Sequence, residues 1–308
     1  MVIATTRIIA RMPHLGTFLA DHPDAVAGWG RKRSGRNARW MARLLGRDYV
    51  LLEDGFIRSV ERNASTMSLI VDDIGAYYDA TRPSRMEMSI SAGVDAVRAG
   101  RIRDVMSAWR QNGISKYNHA PDYDDLLPDR YVLVADQTFG DLSVAGGLAD
   151  SASFDAMLAA AIAENPDCAI LVKVHPDVLT GRKRGYLPHE AKHPRVRVVG
   201  SDRHVARLLE GAEAIYCATS LIGFEALLWG KPVRCFGMPF YAGWGLTGDE
   251  RAAPARRHRA TLEDVAHAAL IALPRYADPA GGDAWEVEQA IAHVGARRAQ
   301  LFGRAKAA

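Results

Sequence analysis

The sequence contains few cysteines and no long apolar run. Its cysteines, Cys168, Cys217 and Cys235, lie in or beside apolar segments and lack the spacing of metal ligands. We therefore expect reduced core thiols in a cytoplasmic protein. No run reaches the length of about 18 apolar residues that a membrane-spanning helix needs. Because charged residues and a proline interrupt the first 20 residues, we predict neither a signal peptide nor a membrane span there.

An excess of one charge sign is also lacking. The formal net charge is +3, which is too small to indicate a nucleic-acid-binding protein, and we predict no nucleic-acid partner. Basic residues nonetheless cluster at 31–36, 181–185 and 255–259. These clusters are either solvated loops or a surface for phosphates or anionic lipid. Under the second alternative, the protein contacts the inner membrane peripherally.

Apolar strands alternate with helical segments along most of the chain, a pattern typical of parallel sheets covered on both faces. The polar, proline-containing segment 115–130 is the most plausible domain boundary. We predict an α/β protein with two Rossmann-like domains, at 1–125 and 126–308. The two domains would face a cleft at the carboxyl ends of their strands.

Two helices carry apolar residues at helical intervals. Segment 37–46 places Trp40, Met41, Leu44 and Leu45 on one helical face and ends at a glycine. The C-terminal segment has a similar apolar stripe, which Arg298 interrupts. We predict that this last helix packs back onto the domains rather than lying on a membrane surface.

The segment VKVHPDV (172–178) ends a strand with a cation and an imidazole. Pro176 cannot donate a backbone hydrogen bond, so the strand should stop there. Lys173 and His175 would then lie on the same side of the strand, where they suit an anionic ligand such as a phosphate. The alternative is a strand end that carries these side chains by chance.

The segment CATSLIGFEALLWGKP (217–232) passes from a strand into a helix. Ser220 is a good N-cap, and the backbone N–H groups that follow it can bind an anion. Gly223 would leave the first turn uncrowded, and Glu225 could accept hydrogen bonds from a ribose diol. The alternative is a capped helix with a solvated glutamate.

Two glycine-containing loops could complete the ligand site. In VADQTFGDLSV (134–144), a strand ends near Gln137, and a turn leads to Asp141 and Ser143 at the edge where ligands of α/β folds gather. An exposed turn aspartate is the alternative. The aromatic segment 236–249 would fold over the cleft with Tyr241 and Trp244 as ligand walls, against the alternative of ordinary packing.

The segment LLEDGFIRSV (51–60) ends a predicted strand in two adjacent acids, Glu53 and Asp54, with Arg58 four residues after Asp54. Paired carboxylates can supply a nucleophile and an acid/base. The alternative is that they shape an exposed turn.

Six segments in order, EDGFIRS, GAYYDATRPSRME, DQTFGDLS, AENPDCAILVKVHPDVLTGRKRGYL, TSLIGFEALLWGKPV and CFGMPFYAGWGLTGD, resemble the bacterial capsule-polysaccharide β-Kdo transferases of the KpsC type. The resemblance covers roughly residues 29–276. It implies a GT-B fold with the acceptor-side domain at 1–125 and the CMP-sugar-binding domain at 126–308. It also implies CMP-β-Kdo as the donor and transfer of β-Kdo with net retention, for capsule or surface polysaccharide biosynthesis.

We hypothesise that Asp141 is the nucleophile and Glu53 the acid/base, with Asp54 holding the turn or the acceptor. Glu53 and Asp54 could exchange roles. Arg58 would pair with an acid or with the sugar carboxylate. The residues assigned to the donor's CMP phosphate, its ribose and its surroundings are Lys173, His175, Pro176, Ser220, Gly223, Glu225, Gln137 and Ser143. We expect no metal and no cofactor.

Two features depart from the resemblance. The segment VERNAS (60–65) replaces a glycine-rich continuation, and the chain contains one module where the full capsule enzymes resemble two in tandem. One module could add a single Kdo, or one linkage type, to a glycan or lipid-linked acceptor. Two alternatives remain: a nucleotide-sugar-binding module without turnover, and a transferase that uses another CMP-sugar.

Overall fold

The computed structural model describes residues 1–61, 64–123, 125–174, 178, 180–187, 193–200 and 203–303. His175 and Pro176 lie outside these described residues. The chain divides into two compact units. Unit 1 comprises Met1–Tyr77, Arg82–Ala120 and Glu263–Ala308, and unit 2 comprises Tyr78–Thr81 and Pro121–Leu262.

The strands form one sheet in each unit. In chain order they are β1 (Ile3–Ala4), β2 (Val26–Trp29), β3 (Tyr49–Asp54), β4 (Ser68–Asp72), β5 (Tyr131–Ala135), β6 (Ala169–Lys173), β7 (Val196–Val199), β8 (Ile215–Cys217), β9 (Val233–Cys235), β10 (Gly248–Asp249), β11 (Pro274–Ala277) and β12 (Ala284–Trp285).

The helices of the described residues are α1 (Arg7–Ala10), α2 (Leu15–Phe18), α3 (Arg33–Leu45), α4 (Arg85–Ala92), α5 (Ala96–Gln111), α6 (Leu142–Gly146), α7 (Ser151–Glu164), α8 (Ala206–Gly211), α9 (Leu221–Leu228), α10 (Leu262–His267) and α11 (Val287–Phe302). A π-helical turn (Ala268–Ala272) follows α10. No helix in this part of the chain is both long enough and apolar enough to cross a membrane.

The sheet of unit 2 is parallel and doubly wound. Its strand order is β10-β9-β8-β5-β6-β7, and every pair of neighbours runs parallel. If the strands are numbered 1 to 6 from β5 to β10, the order read from the β7 edge is 3-2-1-4-5-6. This is the strand order of a Rossmann fold. The strand order reverses between β5 and β8, and ligands of such sheets bind at the carboxyl ends of the strands that flank this point.

Apolar residues cover both faces of this sheet. Phe154, Met157 and Ala161 of α7 pack with buried residues of β5 and β6 in one cluster. Asp150 caps α7 through the backbone N–H of Ser153, and the helix stops before Pro166, which disfavours a helical conformation of the residue before it.

The sheet of unit 1 is mixed, in the order β1-β2-β3-β4-β11-β12. The first three strands are parallel, whereas β3 and β4 are antiparallel and place Glu53 opposite Ile70 and Asp54 opposite Leu69. No helix lies among the described residues that connect β3 to β4. A parallel crossover usually requires such a helix.

The structure divides the C-terminal part of the chain differently from the predicted domains. Residues 263–308 belong to unit 1, because β11 pairs with β4 and α11 packs against α5. Arg298, on the predicted apolar stripe of α11, is buried and donates to the carbonyl oxygens of Asn118 and Ala120, both at 2.8 Å. These hydrogen bonds compensate for burying its guanidinium.

Helix α3 is present, but of its predicted apolar face only Met41 packs against the core, and Trp40, Leu44 and Leu45 are exposed. The residues buried on the sheet are Gly35, Ala38 and Ala42, which leave the helix close to β2. A Cβ atom added to Gly28 of β2 would lie 2.4 Å from the carbonyl oxygen of Ser34. This contact has no room for large side chains. The periodicity therefore identified the helix but not its buried side.

The fold class predicted from the sequence is confirmed: the chain is α/β and GT-B-like, with two Rossmann-type units. The three cysteines are free and buried, as expected. The cleft between the domains stays a prediction.

Candidate functional site

The strands β5 and β8, where the order of the unit 2 sheet reverses, end in polar residues. Asp136 and Gln137 follow β5, and Thr219 and Ser220 lie two and three residues after the end of β8. The side chains of Asp136, Gln137 and Thr219 are almost completely buried. Polar groups buried at this position are expected to serve a ligand site or to hold its shape.

Gln137, Ser143 and Thr219 form a closed ring of side-chain hydrogen bonds. Gln137 Oε1 accepts from the backbone N–H of Thr219 at 3.0 Å and from Thr219 Oγ1 at 3.1 Å. Gln137 Nε2 donates to Ser143 Oγ at 3.2 Å. The two hydroxyl oxygens, Ser143 Oγ and Thr219 Oγ1, lie 3.4 Å apart.

The donors fix the direction of every bond in this ring. Because a backbone N–H can only donate, the amide atom that faces Thr219 must be the oxygen. The Thr219 hydroxyl donates to that oxygen, so in the third contact the Ser143 hydroxyl is the donor and Thr219 Oγ1 the acceptor. Each hydroxyl thus donates once and accepts once, an arrangement in which hydrogen bonds polarise one another. The Ser143 proton is engaged within the protein.

Asp141 is attached to this ring through its neighbour Ser143. It is exposed at the start of α6, and its carboxylate accepts from the backbone N–H of Ser143 at 2.9 Å. The preceding Gly140 has a φ of 84°, in the left-handed region that favours glycine, and it produces the turn expected from the sequence. The exposed carboxylate of Asp141 thus lies at the start of the short helix α6, and the hydrogen-bonded ring connects this helix to the ends of β5 and β8.

Lys173 ends β6, the strand next to β5. Burial lowers the pKa of Lys173 to about 8, because removing the ammonium group from water disfavours its charged form. Asp136, one strand away, donates its backbone N–H to the Lys173 carbonyl at 2.9 Å. Its carboxylate accepts from the N–H groups of Tyr186 and Leu187, so it holds the chain that follows β6.

Ser220 caps α9, as predicted. Its hydroxyl accepts from the backbone N–H of Ile222 at 3.3 Å, and its carbonyl accepts from the hydroxyl of Tyr241. The cap aligns the first turn of α9 at the carboxyl end of β8.

Gly223 lies in the first turn of α9, close to Tyr241 and Cys217. A Cβ atom at this position would lie 2.3 Å from Tyr241 Oη and 2.7 Å from Cys217 Sγ. The first turn of α9 is therefore tightly packed on this side, and the site has room for a glycine only; the anion-binding role of the turn stays a prediction. Glu225 is also buried, so the alternative of a solvated glutamate is wrong.

Tyr241 and Trp244 are completely buried. The Tyr241 hydroxyl lies 3.3 Å from Cys217 Sγ, and burial raises the pKa of this tyrosine. Trp244 Nε1 donates to the carbonyl of Phe240, and the buried guanidinium of Arg257 lies over the indole ring. These contacts lie within unit 2 and match the alternative of ordinary packing; the wall role stays a prediction.

Glu53 and Asp54 of unit 1 end β3, as predicted, but they do not face the same way. Neighbouring residues of a strand point to opposite faces of the sheet, and the ladder to β4 includes both positions. Asp54 pairs with Arg58 at 3.5 Å. The two acids therefore face different sides of the sheet, and the assignment of the acid/base to one of them stays a prediction.

Asp54 and Arg58 line a pocket within unit 1. The Arg58 guanidinium also lies over the Tyr117 ring, 5.6 Å from its centroid. The other polar residues that line the pocket are Ser59, Glu61, Ser65, Thr66, Ser68 and His119. Its polar wall suits a hydrophilic ligand with hydroxyl groups or a carboxylate.

Sequence reasoning missed Thr219 and Asp136 as members of the site. Both follow strands in motifs that it did single out, but their contacts join residues about 50 to 80 positions apart. Among the residues that the structure describes, no group of three or more histidine, cysteine, aspartate or glutamate side chains could hold a metal ion.

The fold and the buried polar residues at the switch point define a doubly wound α/β protein with a candidate ligand site at the carboxyl ends of its strands. The family model described as capsule polysaccharide biosynthesis protein matches residues 24–108 and 95–276. The chain therefore belongs to the capsule polysaccharide biosynthesis protein family.

Two curated relatives are similar to the chain. The capsule polysaccharide modification protein LipA of Neisseria meningitidis serogroup A is 38% identical over 94% of this chain and 45% of its own length. The lipopolysaccharide-processing protein LpsZ of Rhizobium meliloti is 38% identical over 78% of this chain and 57% of its own length. The chain thus spans about half the length of these relatives.

Two solved structures of KpsC from Thermosulfurimonas dismutans are also similar. The β-Kdo 2,4 transferase is 41% identical, with a TM-score of 0.86 over 96% of this chain and 97% of that one. The β-Kdo 2,7 transferase is 29% identical, with a TM-score of 0.66 over 89% and 86%.

Proposed function

We propose that the protein is a retaining glycosyltransferase that moves Kdo from CMP-β-Kdo to a glycan or lipid-linked acceptor. The observation that carries this proposal is the similarity to the β-Kdo 2,4 transferase, which extends over 96% of this chain. The ring at the end of β5 and β8 supports it, since it fixes a carboxylate at the edge of the sheet where nucleotides bind.

Retention is proposed to proceed in two displacements. The Asp141 carboxylate attacks the anomeric carbon of Kdo, the bond from that carbon to the CMP phosphate oxygen breaks, and CMP leaves. An acceptor hydroxyl then attacks the same carbon and displaces Asp141, and Glu53 takes the hydroxyl proton. Two inversions give net retention.

The donor is proposed to bind unit 2. Lys173 and His175 would offset the charge of the CMP phosphate, together with the capped start of α9 at Ser220. Glu225 would hold the ribose. Gln137 and Ser143 would act mainly by position, since their ring bonds keep α6 and Asp141 in place.

The acceptor is proposed to use the pocket of unit 1. Asp54 lies in this pocket, which supports an acceptor role for it. Glu53, the residue before it at the end of β3, would take the proton from the attacking hydroxyl at the edge of the sheet. Arg58 offers a planar fork that can bind a sugar carboxylate with two hydrogen bonds. An acidic sugar at the acceptor terminus therefore fits this side.

A donor screen tests the proposal against its alternatives. The purified protein is incubated with CMP-Kdo or a second CMP-sugar, together with a synthetic Kdo-terminated acceptor, and products are identified by mass. We expect product from CMP-Kdo only. Product from the other CMP-sugar alone would assign a different transferase, and CMP binding without any product would assign a binding module.

A further inference from the structure

Helix α3 presents an exposed apolar pair to the solvent. Trp40 and Leu44 are each 64% exposed, and Leu45 is 51% exposed. Trp40 and Leu44 are four residues apart, so they lie one above the other on the same face of the helix. A tryptophan left so far exposed beside leucines is the kind of surface that marks a contact site.

Basic residues surround this apolar pair. From Ala25 to Arg47 the chain contains seven arginine or lysine residues and no acidic residue. Arg33, Arg36 and Arg43 of α3 are exposed, and within the described part of the chain no carboxylate lies within ion-pair distance of their side chains. Their positive charge is therefore not neutralised locally.

The opposite face of α3 is fixed to the sheet. Gly35, Ala38 and Ala42 pack on β2, and Arg39 donates to the carbonyl of Ile74 at 3.2 Å. The exposed face of α3 is therefore already ordered before any partner binds. A preordered face loses less conformational entropy when it binds.

We propose that the outer face of α3, formed by Trp40, Leu44 and Leu45 with Arg33, Arg36 and Arg43, docks on an anionic phospholipid surface. Tryptophan and leucine enter the boundary between headgroups and acyl chains, and arginines pair with the lipid phosphates. Charge complementarity selects this occupant. In a two-fold contact between copies, α3 would bring its unneutralised arginines face to face, which is unfavourable.

The inference does not depend on the proposed reaction. A transferase that acts on a lipid-linked acceptor would gain from such a contact, because docking concentrates the enzyme at its substrate. The basic cluster at 255–259 differs from α3, since Arg257 is buried and donates to the carbonyls of Pro239 and Ala242.

Vesicle sedimentation with the full chain tests the proposal. We expect binding to equimolar phosphatidylcholine/phosphatidylglycerol vesicles, little binding to phosphatidylcholine alone, and release at high salt. The double variant Trp40→Ala/Leu44→Ala should bind at least about tenfold more weakly. Arg36→Gln/Arg43→Gln should weaken binding by about fivefold for each arginine removed.

Matched variants separate this surface from general effects. Val97→Ala removes another exposed apolar side chain of unit 1, and Arg182→Gln/Arg197→Gln removes the same net charge elsewhere; both should bind as the wild type does. Since every substituted side chain is exposed, unchanged circular dichroism and melting temperature are expected. Wild-type binding by both α3 variants, or no binding to anionic vesicles, would overturn the proposal. So would a loss of dimer in Trp40→Ala/Leu44→Ala, which would assign the face to a second copy.

Discussion

Gln137 Oε1 accepts two hydrogen bonds from Thr219, one from its backbone N–H at 3.0 Å and one from its hydroxyl at 3.1 Å. These bonds join the carboxyl ends of β5 and β8, where the strand order reverses. Through Nε2 of the same amide, the junction continues to Ser143 and from there to Asp141. The position of the proposed nucleophile, Asp141, therefore depends on Thr219, which lies about 80 positions away along the chain.

Substitutions at Thr219 should distinguish this ring from simple packing. Thr219→Val keeps the shape of the side chain but removes the hydroxyl, which leaves the Ser143 proton without its acceptor. Thr219→Ser keeps the hydroxyl but removes the methyl group that lies against Gly147 and Gly237. Each change should lower the free energy of unfolding by about 1 to 2 kcal/mol.

Their effects on turnover should differ. Thr219→Val is expected to lower kcat by about tenfold or more with the Kd of CMP nearly unchanged, whereas Thr219→Ser should retain most of kcat. Steady-state kinetics and calorimetric titration with CMP measure the two quantities. Equal kcat values in both variants would contradict a positioning role for the ring.

Arg58 should matter for the acceptor and little for stability. Its pair with Asp54 is formed by side chains that are 44% and 38% exposed, and such pairs contribute less than about 1 kcal/mol. Arg58→Lys keeps the charge but loses the planar fork, so we expect a higher KM for an acidic acceptor and an unchanged KM for the donor. Arg98→Lys, at the exposed pair with Asp95, is the control and should change neither.

The affinity for CMP should fall in alkaline solution. Burial lowers the pKa of Lys173 to about 8, so its ammonium group is charged below this pH and loses its proton above it. If Lys173 binds the phosphate, the affinity should weaken above about pH 8 by up to tenfold per pH unit. Lys173→Arg, which stays charged, should remove this pH dependence; a slope that persists in the variant would exclude Lys173 as its source.

Gly223→Ala should destabilise unit 2 through the clash with Tyr241. We expect a loss of about 1 to 3 kcal/mol in the free energy of unfolding, measured with urea. In a Tyr241→Phe background the same substitution should cost less, because the nearest atom, Oη, is absent. Gly100→Ala in α5 is the control, since its Cβ would meet open space; it should be neutral or stabilising by up to about 1 kcal/mol.

The unit 2 sheet was largely predictable from the sequence. Its central strands are covered on both faces and read as continuous apolar runs, and its helices have recognisable ends, such as the Ser220 cap and the stop before Pro166. The pairing of β11 with β4 was not predictable, because it joins residues about 200 positions apart. Periodicity alone could not show that α3 packs through its alanines and a glycine.

The candidate site was predictable only in part. The motifs identified Gln137, Asp141, Ser143, Lys173 and Ser220 as residues at or after the ends of strands, since this position follows from local sequence. They could not show that Gly223 packs against Tyr241 without room for a side chain. They also could not show that Thr219 completes the hydrogen-bonded ring with Gln137 and Ser143. Both depend on contacts between distant segments.

The protein is proposed to transfer Kdo with retention through Asp141. The most direct measurement is the anomeric configuration, by NMR, of the product formed from CMP-β-Kdo and a Kdo-terminated acceptor, with Asp141→Asn in parallel. We predict a β-linked product from the wild type and a rate lower by about 10³-fold or more in the variant, with CMP binding preserved. An α-linked product, or full activity in Asp141→Asn, would contradict the account.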